Sequence, residues 1–171
     1  EMTRLKRLNT DKTREALARF VGLAHRLENV KEIHGIRFVN DSKCTTLEAL
    51  VWALDKFSDG KVILLAGGHA KGADFREVRE RLSKKVKQVV VYGEAQQVLW
   101  ESWSDAVPLL RRAGLREAFE EALKIARSGD IVLLSPACAS FDQFRNYEER
   151  GDLFKELVYE LGRVSEPSAV K

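Results

Sequence analysis

The sequence predicts an open α/β sheet of Rossmann-like type, mostly parallel, with helices on both faces. Short apolar runs recur along the chain and end in glycine or small polar residues. Segments with helical spacing separate them, each long enough for a crossover helix. Most of the runs are continuous and do not alternate with polar residues, a pattern that suits strands covered on both faces.

The first twelve residues are basic and polar and read as a loose or attached lead-in. From Asp11 to Phe20 the spacing is helical, with Ala16, Leu17, Phe20 and Val21 on one face, and Gly22 can end that helix. Strands are expected at Ile36–Asn40, Val62–Ala66, Gln88–Tyr92 and Ile131–Leu134. Ala106–Leu109 is a weaker edge candidate, because Pro108 has no N–H to give a ladder. Helices are expected at Thr46–Phe57, Phe75–Leu82, Ala95–Trp100, Leu115–Ala126 and Arg150–Leu161. No internal repeat or low-complexity tract interrupts the pattern.

A chain of 171 residues holds one domain with a real core, and 44% hydrophobic with 32% charged residues is a soluble, folded composition. The apolar runs, such as Val62–Ala66, fall far short of the roughly 20 residues a bilayer span needs. The opening residues are too polar for a secretory signal. No membrane association is expected. Net charge is +3, from 29 basic and 26 acidic residues that are well mixed. Arg79, Arg81, Lys84, Lys85 and Lys87 form a local basic run. Without interleaved aromatic residues to stack bases, it reads as the solvated face of a helix and not as a nucleic-acid site. The two cysteines, Cys44 and Cys138, fit neither a zinc site nor a disulfide framework and read as buried thiols. His25, His34 and His69 lack metal-ligand spacing.

Ligands in such sheets collect beyond the carboxyl ends of the strands, and three of the expected strands end in unusual sequence. After Asn40 come Asp41, Ser42, Lys43, Cys44 and Thr45. Thr45 and Glu48 have capping-box spacing, so Thr45 is either a helix cap, a ligand contact or both. Lys43 puts a cation suited to phosphate or carboxylate in a strand-to-helix turn, where helix N–H groups also favour an anion. Asp41 could accept hydrogen bonds from sugar hydroxyls, or pair with Lys43. The second end, Gly67-Gly68-His69-Ala70-Lys71-Gly72-Ala73-Asp74, permits close backbone approach and carries another cation. It matches neither G-x-x-x-x-G-K-[ST] nor G-x-G-x-x-G, and Asp74 can cap the next helix. The third runs Ser135-Pro136-Ala137-Cys138-Ala139-Ser140-Phe141-Asp142-Gln143-Phe144. Ser140 and Gln143 again have capping-box spacing; Ser140 lacks the G-x-S-x-G elbow of a nucleophile. If the three ends converge, two lysines and two hydroxyls make a site for a small carboxylate or phosphate.

These three segments, in this order and spacing, resemble the C-terminal domain of Mur ligases. Gly22-Leu23-Ala24-His25-Arg26-Leu27-Glu28 resembles the linker into that domain, and the likeness covers roughly residues 13–162. The Ser-Pro-Ala-Cys-Ala-Ser segment resembles the members that add D-glutamate to UDP-N-acetylmuramoyl-L-alanine. The resemblance implies a cytoplasmic bacterial ligase, in which ATP with Mg2+ converts the substrate carboxylate to an acyl phosphate that the amine of D-glutamate attacks. It implies that residues 1–24 are the end of a central domain and a hinge, 25–162 the amino-acid-binding domain and 163–171 a tail. It places His25, Arg26 and Asp41 at the nucleotide, with Asp41 on ribose, and Lys43 at the phosphates or the reacting centre. Thr45 and Lys71 would hold the α-carboxylate of D-glutamate, and Ser140 and Tyr147 its side-chain carboxylate. Ala24 stands where the family usually has Pro, and Tyr147 where it has Phe. The family's N-terminal UDP-binding and central ATPase domains, with the metal ligands, have no counterpart motif in this sequence, so the chain alone is expected to be inactive. A non-catalytic module that binds an amino acid or nucleotide, another Mur ligase and a folylpolyglutamate synthetase are the alternatives.

Overall fold

The structure, a computed structural model, describes residues 14, 15 and 22–165. Of the expected helix at Asp11–Phe20, only Arg14 and Glu15 fall among them, and both are helical. Six strands form one sheet: β1 (Glu28–Ile33), β2 (Ile36–Asn40), β3 (Val62–Gly67), β4 (Val86–Tyr92), β5 (Leu109–Arg112) and β6 (Ile131–Leu134). Their order across the sheet is β1-β2-β6-β3-β4-β5, with β1 antiparallel to β2 and every other pair parallel. The helices are α1 (Leu47–Leu54), α2 (Arg79–Lys85), α3 (Gln96–Trp103), α4 (Leu115–Ile125) and α5 (Tyr147–Ser165). None of the described helices is long and apolar enough to cross a membrane.

The sheet is buried on both faces, as its continuous apolar runs require. Leu64, Ala66, Val89, Val91 and Leu133 pack toward α1, α2 and α3, against Leu50, Leu82, Leu99 and Trp103. The intervening residues Ile63, Leu65, Val90, Val132 and Leu134 pack the other way, against Phe119 of α4 and Phe154, Leu157 and Val158 of α5. This is period-2 geometry in strands whose two faces are both apolar.

Connectivity decides where the site forms. From β2 to β5 the chain adds strands in one direction over α1, α2 and α3. It then returns by α4 on the opposite face and inserts β6 between β2 and β3. Reversing the direction of travel while keeping right-handed crossovers puts the returning helix on the other face. The three strands with polar carboxyl ends thereby become neighbours.

Several elements differ from the sequence expectation. β1 was not expected: Glu-Asn-Val-Lys-Glu-Ile is polar because it forms a sheet edge, and a bulge between Asn29 and Lys31 breaks its alternation. β5 begins at Leu109 and not at Ala106, so Pro108 precedes the strand, and its carbonyl accepts from the Val89 N–H at 3.0 Å. The Phe75–Leu82 helix is a 3-10 turn, Phe75–Val78, leading into α2. Asp74 does cap that turn, accepting from the Arg76 N–H. α5 starts three residues early and continues to Ser165, past the expected end at Leu161. The basic run is paired with aspartates, on α2 for Arg79 to Lys85 and at the start of β4 for Lys87. Arg79 meets Asp105, Arg81 meets Asp55, Lys84 and Lys85 meet Asp59, and Lys87 meets Asp130.

Glycine is required where β3 ends. Gly68 has φ +127°, and a Cβ there would lie 2.1 Å from the Ala139 carbonyl oxygen. The neighbouring His69 and Ala139 exchange two backbone hydrogen bonds, of 2.8 and 3.1 Å, that pin the two loops together. Gly68→Ala is expected to destabilise the fold by about 1–3 kcal/mol, read as a lower urea midpoint. Gly60→Ala, at φ +65° with open space around it, should cost less; equal losses would show that loop packing at Gly68 is unimportant.

Candidate functional site

All three polar strand ends meet over one edge of the sheet, and one side chain joins them. Arg150 on α5 is fully buried. Its Nε donates to Ser42 Oγ (3.0 Å), one terminal nitrogen to the Ser42 carbonyl (2.8 Å) and both to the Cys138 carbonyl (3.1 Å each). A longer contact of 3.4 Å reaches the Gly67 carbonyl. Ser42 Oγ in turn donates to the Tyr147 carbonyl at 2.8 Å. Among the described residues no carboxylate pairs with Arg150; carbonyl dipoles and a hydroxyl satisfy its planar fork.

On this framework lies a cavity of about 320 Å³ lined by Thr45, Lys71, Ala139, Ser140, Phe141, Asn146, Tyr147 and Glu148. It brings together the four residues expected at the amino acid: Thr45, Lys71, Ser140 and Tyr147. An adjoining cavity of about 350 Å³ shares Thr45 and Lys71 and reaches Asp74 and Ala137. Lys43 lies beside them, its Nζ 5.3 Å from the centre of the Tyr147 ring. Among the described residues neither Lys43 nor Lys71 has a carboxylate within ion-pair distance. A cavity of about 330 Å³ at the opposite end of the strands mixes Glu32 and Asp130 with Arg37 and Lys61 and contains none of the expected residues.

Two cap expectations are corrected. Thr46, not Thr45, caps α1, accepting the Ala49 N–H at 3.3 Å, so Thr45 is left to face the cavity. Ser140 caps no helix: its carbonyl accepts the N–H groups of Gln143 and Phe144 in a turn. α5 begins after Asn146, whose Oδ1 takes the Glu149 N–H at 2.8 Å. Tyr147 is the first residue of that helix, where N–H groups have no partner within the helix. Its ring sits edge-on to His25, with centroids 6.0 Å apart.

The residues expected at the nucleotide lie on two linked segments, the turn before β1 and the start of the loop after β2, joined by the Lys43 N–H donating to the His25 carbonyl at 3.0 Å. His25 is buried with φ +61°, its Nδ1 3.1 Å from Asn40 Nδ2 and its Nε2 3.8 Å from Asp152. Gly151 makes this packing possible, since a Cβ there would lie 2.1 Å from His25 Nδ1. Asp41 is buried, one oxygen accepting the Leu27 N–H (3.1 Å) and the other the Ser135 hydroxyl (2.8 Å). Pairing with Lys43 is therefore not its role in this arrangement. Burial pushes its carboxyl up to about 6, against the lowering effects of Ser135, Leu27 and Arg26. Arg26 alone of the three is exposed. Cys44 and Cys138 are free, buried thiols, and burial pushes both up to about 12. Among the described residues no three His, Cys, Asp or Glu side chains converge as metal ligands.

Sequence reasoning missed Arg150 and Gly151 as site residues. An Arg-Gly pair inside a helix was the available signal, because glycine there costs about 1 kcal/mol relative to alanine unless close packing requires it. Ala137, at φ +58° in the third loop, had no signal at all.

A model of the Mur ligase, glutamate ligase domain, matches residues 25–138. The chain is 47% identical over 144 residues to the UDP-N-acetylmuramoylalanine--D-glutamate ligase of Aquifex aeolicus, covering 84% of this chain and 35% of that protein. It is 48% identical to the enzyme of that name from Pelotomaculum thermopropionicum, covering 85% and 32%. The chain spans about a third of the length of the curated relatives it matches. Among solved structures, the MurF ligase of Thermotoga maritima in complex with ADP superposes with a TM-score of 0.58 at 19% identity, covering 85% of this chain and 34% of that one. A murein peptide ligase from Psychrobacter arcticus gives 0.58 at 11%, covering 92% and 33%. At these identities the structures bear on the fold.

Two expectations follow from the geometry. Arg150→Met should lower stability by about 3–5 kcal/mol, the cost of breaking a buried charged network, and Arg150→Lys should not restore it, which thermal melts will check. For Asp41, the folded carboxyl holds its proton up to about pH 6 against a reference of 3.8. Its contribution to stability is full below pH 3.8 and is lost as pH rises through 6. Unfolding free energies of wild type and Asp41→Asn should diverge over that window, by up to about 3 kcal/mol; parallel curves would refute the buried-carboxyl account.

Proposed function

The chain belongs to the Mur ligase family through its glutamate ligase domain, and on that basis we propose that it is the amino-acid-binding domain of the ligase that joins D-glutamate to UDP-N-acetylmuramoyl-L-alanine in peptidoglycan precursor synthesis. The supporting observation is the single cavity lined by Thr45, Lys71, Ser140 and Tyr147. D-Glutamate has two carboxylates, and each needs charged or N–H donors. Lys71 and Thr45 receive the α-carboxylate, and Ser140 with the free N–H at the start of α5 receives the side-chain carboxylate. Recognition through the N–H of Tyr147 makes the identity of its ring secondary.

Lys43 lies toward the reacting centre, where an ammonium steadies charge developing on phosphate oxygens and the tetrahedral carbon. Arg26 is the side chain of the turn available to a nucleotide phosphate. His25 and Asp41 hold that turn in place, and contact between Asp41 and ribose requires release of the Leu27 N–H or the Ser135 hydroxyl. ATP supplies the phosphoryl group and Mg2+ its charge neutralisation; no residue of this chain is given to the metal. The reading divides the chain into 1–24 as hinge segment, 25–162 as the amino-acid-binding domain and 163–171 as tail, and places the ligase in the bacterial cytoplasm. D-Glutamate is favoured over the amino acids of other Mur ligases and of folylpolyglutamate synthetases because the relatives near 47% identity carry D-glutamate ligase names.

Titration with D-glutamate, followed by amide NMR shifts, tests the site. Shifts should cluster around residues 45, 71, 140 and 147. Lys71→Ala should weaken binding by roughly 10- to 150-fold, the equivalent of about 1.5–3 kcal/mol for a charge-assisted hydrogen bond. Unchanged affinity in that variant, or shifts confined to the opposite end of the strands, would contradict the assignment.

A further inference from the structure

The cavity has one side chain that a dicarboxylate alone does not explain. Glu148, in the first turn of α5, lines it together with Lys71, Thr45 and Ser140. A carboxylate in the wall of an anion site repels the ligand unless the ligand brings a cation to meet it. The other acceptors on that wall are neutral: the hydroxyls of Thr45, Ser140 and Tyr147, and Asn146 Oδ1, which is already engaged with the Glu149 N–H. We propose that Glu148 receives the α-ammonium of the bound amino acid and so makes the cavity selective for a zwitterion over a simple diacid; this rests on the amino-acid reading given above.

Position, the direction of reaction and electrostatics support the assignment. Glu148 lies on the wall next to Tyr147, whose ring carries Lys43. The amino group must face the reacting centre to form the amide, and Lys43 marks that side. A hydrogen bond from Tyr147, its own N–H and the charge of Lys43 also hold the Glu148 carboxyl below its ordinary range. It is therefore ionised at neutral pH, and its strength as a proton acceptor is correspondingly low. Its part is positioning the ammonium, not deprotonating it. A carboxylate also has lone pairs for more than one donor, so these contacts leave room for the ligand.

The first turn of a helix favours an acidic residue in any case, and Glu149 supplies the control. It occupies the same turn but does not line the cavity; its carboxylate meets Arg145. The experiment compares D-glutamate with glutarate, the same diacid without the amine, by calorimetry on wild type, Glu148→Gln and Glu149→Gln. Wild type and Glu149→Gln should prefer D-glutamate. Glu148→Gln should bind D-glutamate about tenfold more weakly and glutarate no worse than wild type does, so that the preference disappears. A preference retained in Glu148→Gln, or lost equally in Glu149→Gln, overturns the ammonium assignment while leaving the cavity in place. If wild type binds neither compound, the amino-acid reading fails and this assignment fails with it.

Discussion

Everything at the carboxyl edge of the sheet depends on the buried guanidinium of Arg150. Loops that follow parallel strands lie outside the ladder, and here the His69–Ala139 pair ties two of them together. Arg150 binds carbonyls at the end of β3 and after β2 and β6, and the hydroxyl of Ser42, so three loops become one rigid surface. Its stem comes from the first turns of α5, the helix that also packs Phe154 and Val158 on the sheet. Core packing on one face thus fixes polar geometry at the edge. A lysine has one nitrogen and no plane, and could not span the same acceptors.

Charge is distributed around this clasp in two layers. The buried layer is nearly silent: Arg150 is satisfied by dipoles, Asp41 by a hydroxyl and an N–H, and both thiols are held protonated by burial. The outer layer carries Lys43 and Lys71, which form no ion pair among the described residues, with Glu148 beside them. Elsewhere on the surface, basic side chains such as those of α2 are matched by nearby aspartates. Charges left unmatched at one strand edge have a ligand as their natural counterpart, whereas matched charges on a helix face serve solubility and a little stability.

The parts of the fold that could be read in advance are those where local chemistry is decisive. Val62–Ala66 and Ile131–Leu134 are too apolar for anything but a doubly covered strand. Lys43, Lys71 and Ser140 were legible as site candidates because a polar or glycine-rich stretch follows each strand. β1 was not legible, since its residues become a strand only by pairing with β2. The cap of α1 was off by one residue: Thr45 and Thr46 are chemically equivalent, and the backbone path out of β2 selects between them. Arg150 entered the sequence reading only as the start of an expected helix, because burial of a charge is invisible until the acceptors that surround it are known.

By itself the sequence determined the class of fold, the number of central strands and the chemical character of each strand end, since these follow from local periodicity and residue type. Only the tertiary structure decided that β6 inserts between β2 and β3. That order depends on the handedness of crossovers and on which helix faces can be buried together, both of which are properties of the whole chain. It turns three polar loops far apart in sequence into one cup, and it places the guanidinium of Arg150 where all three can be held.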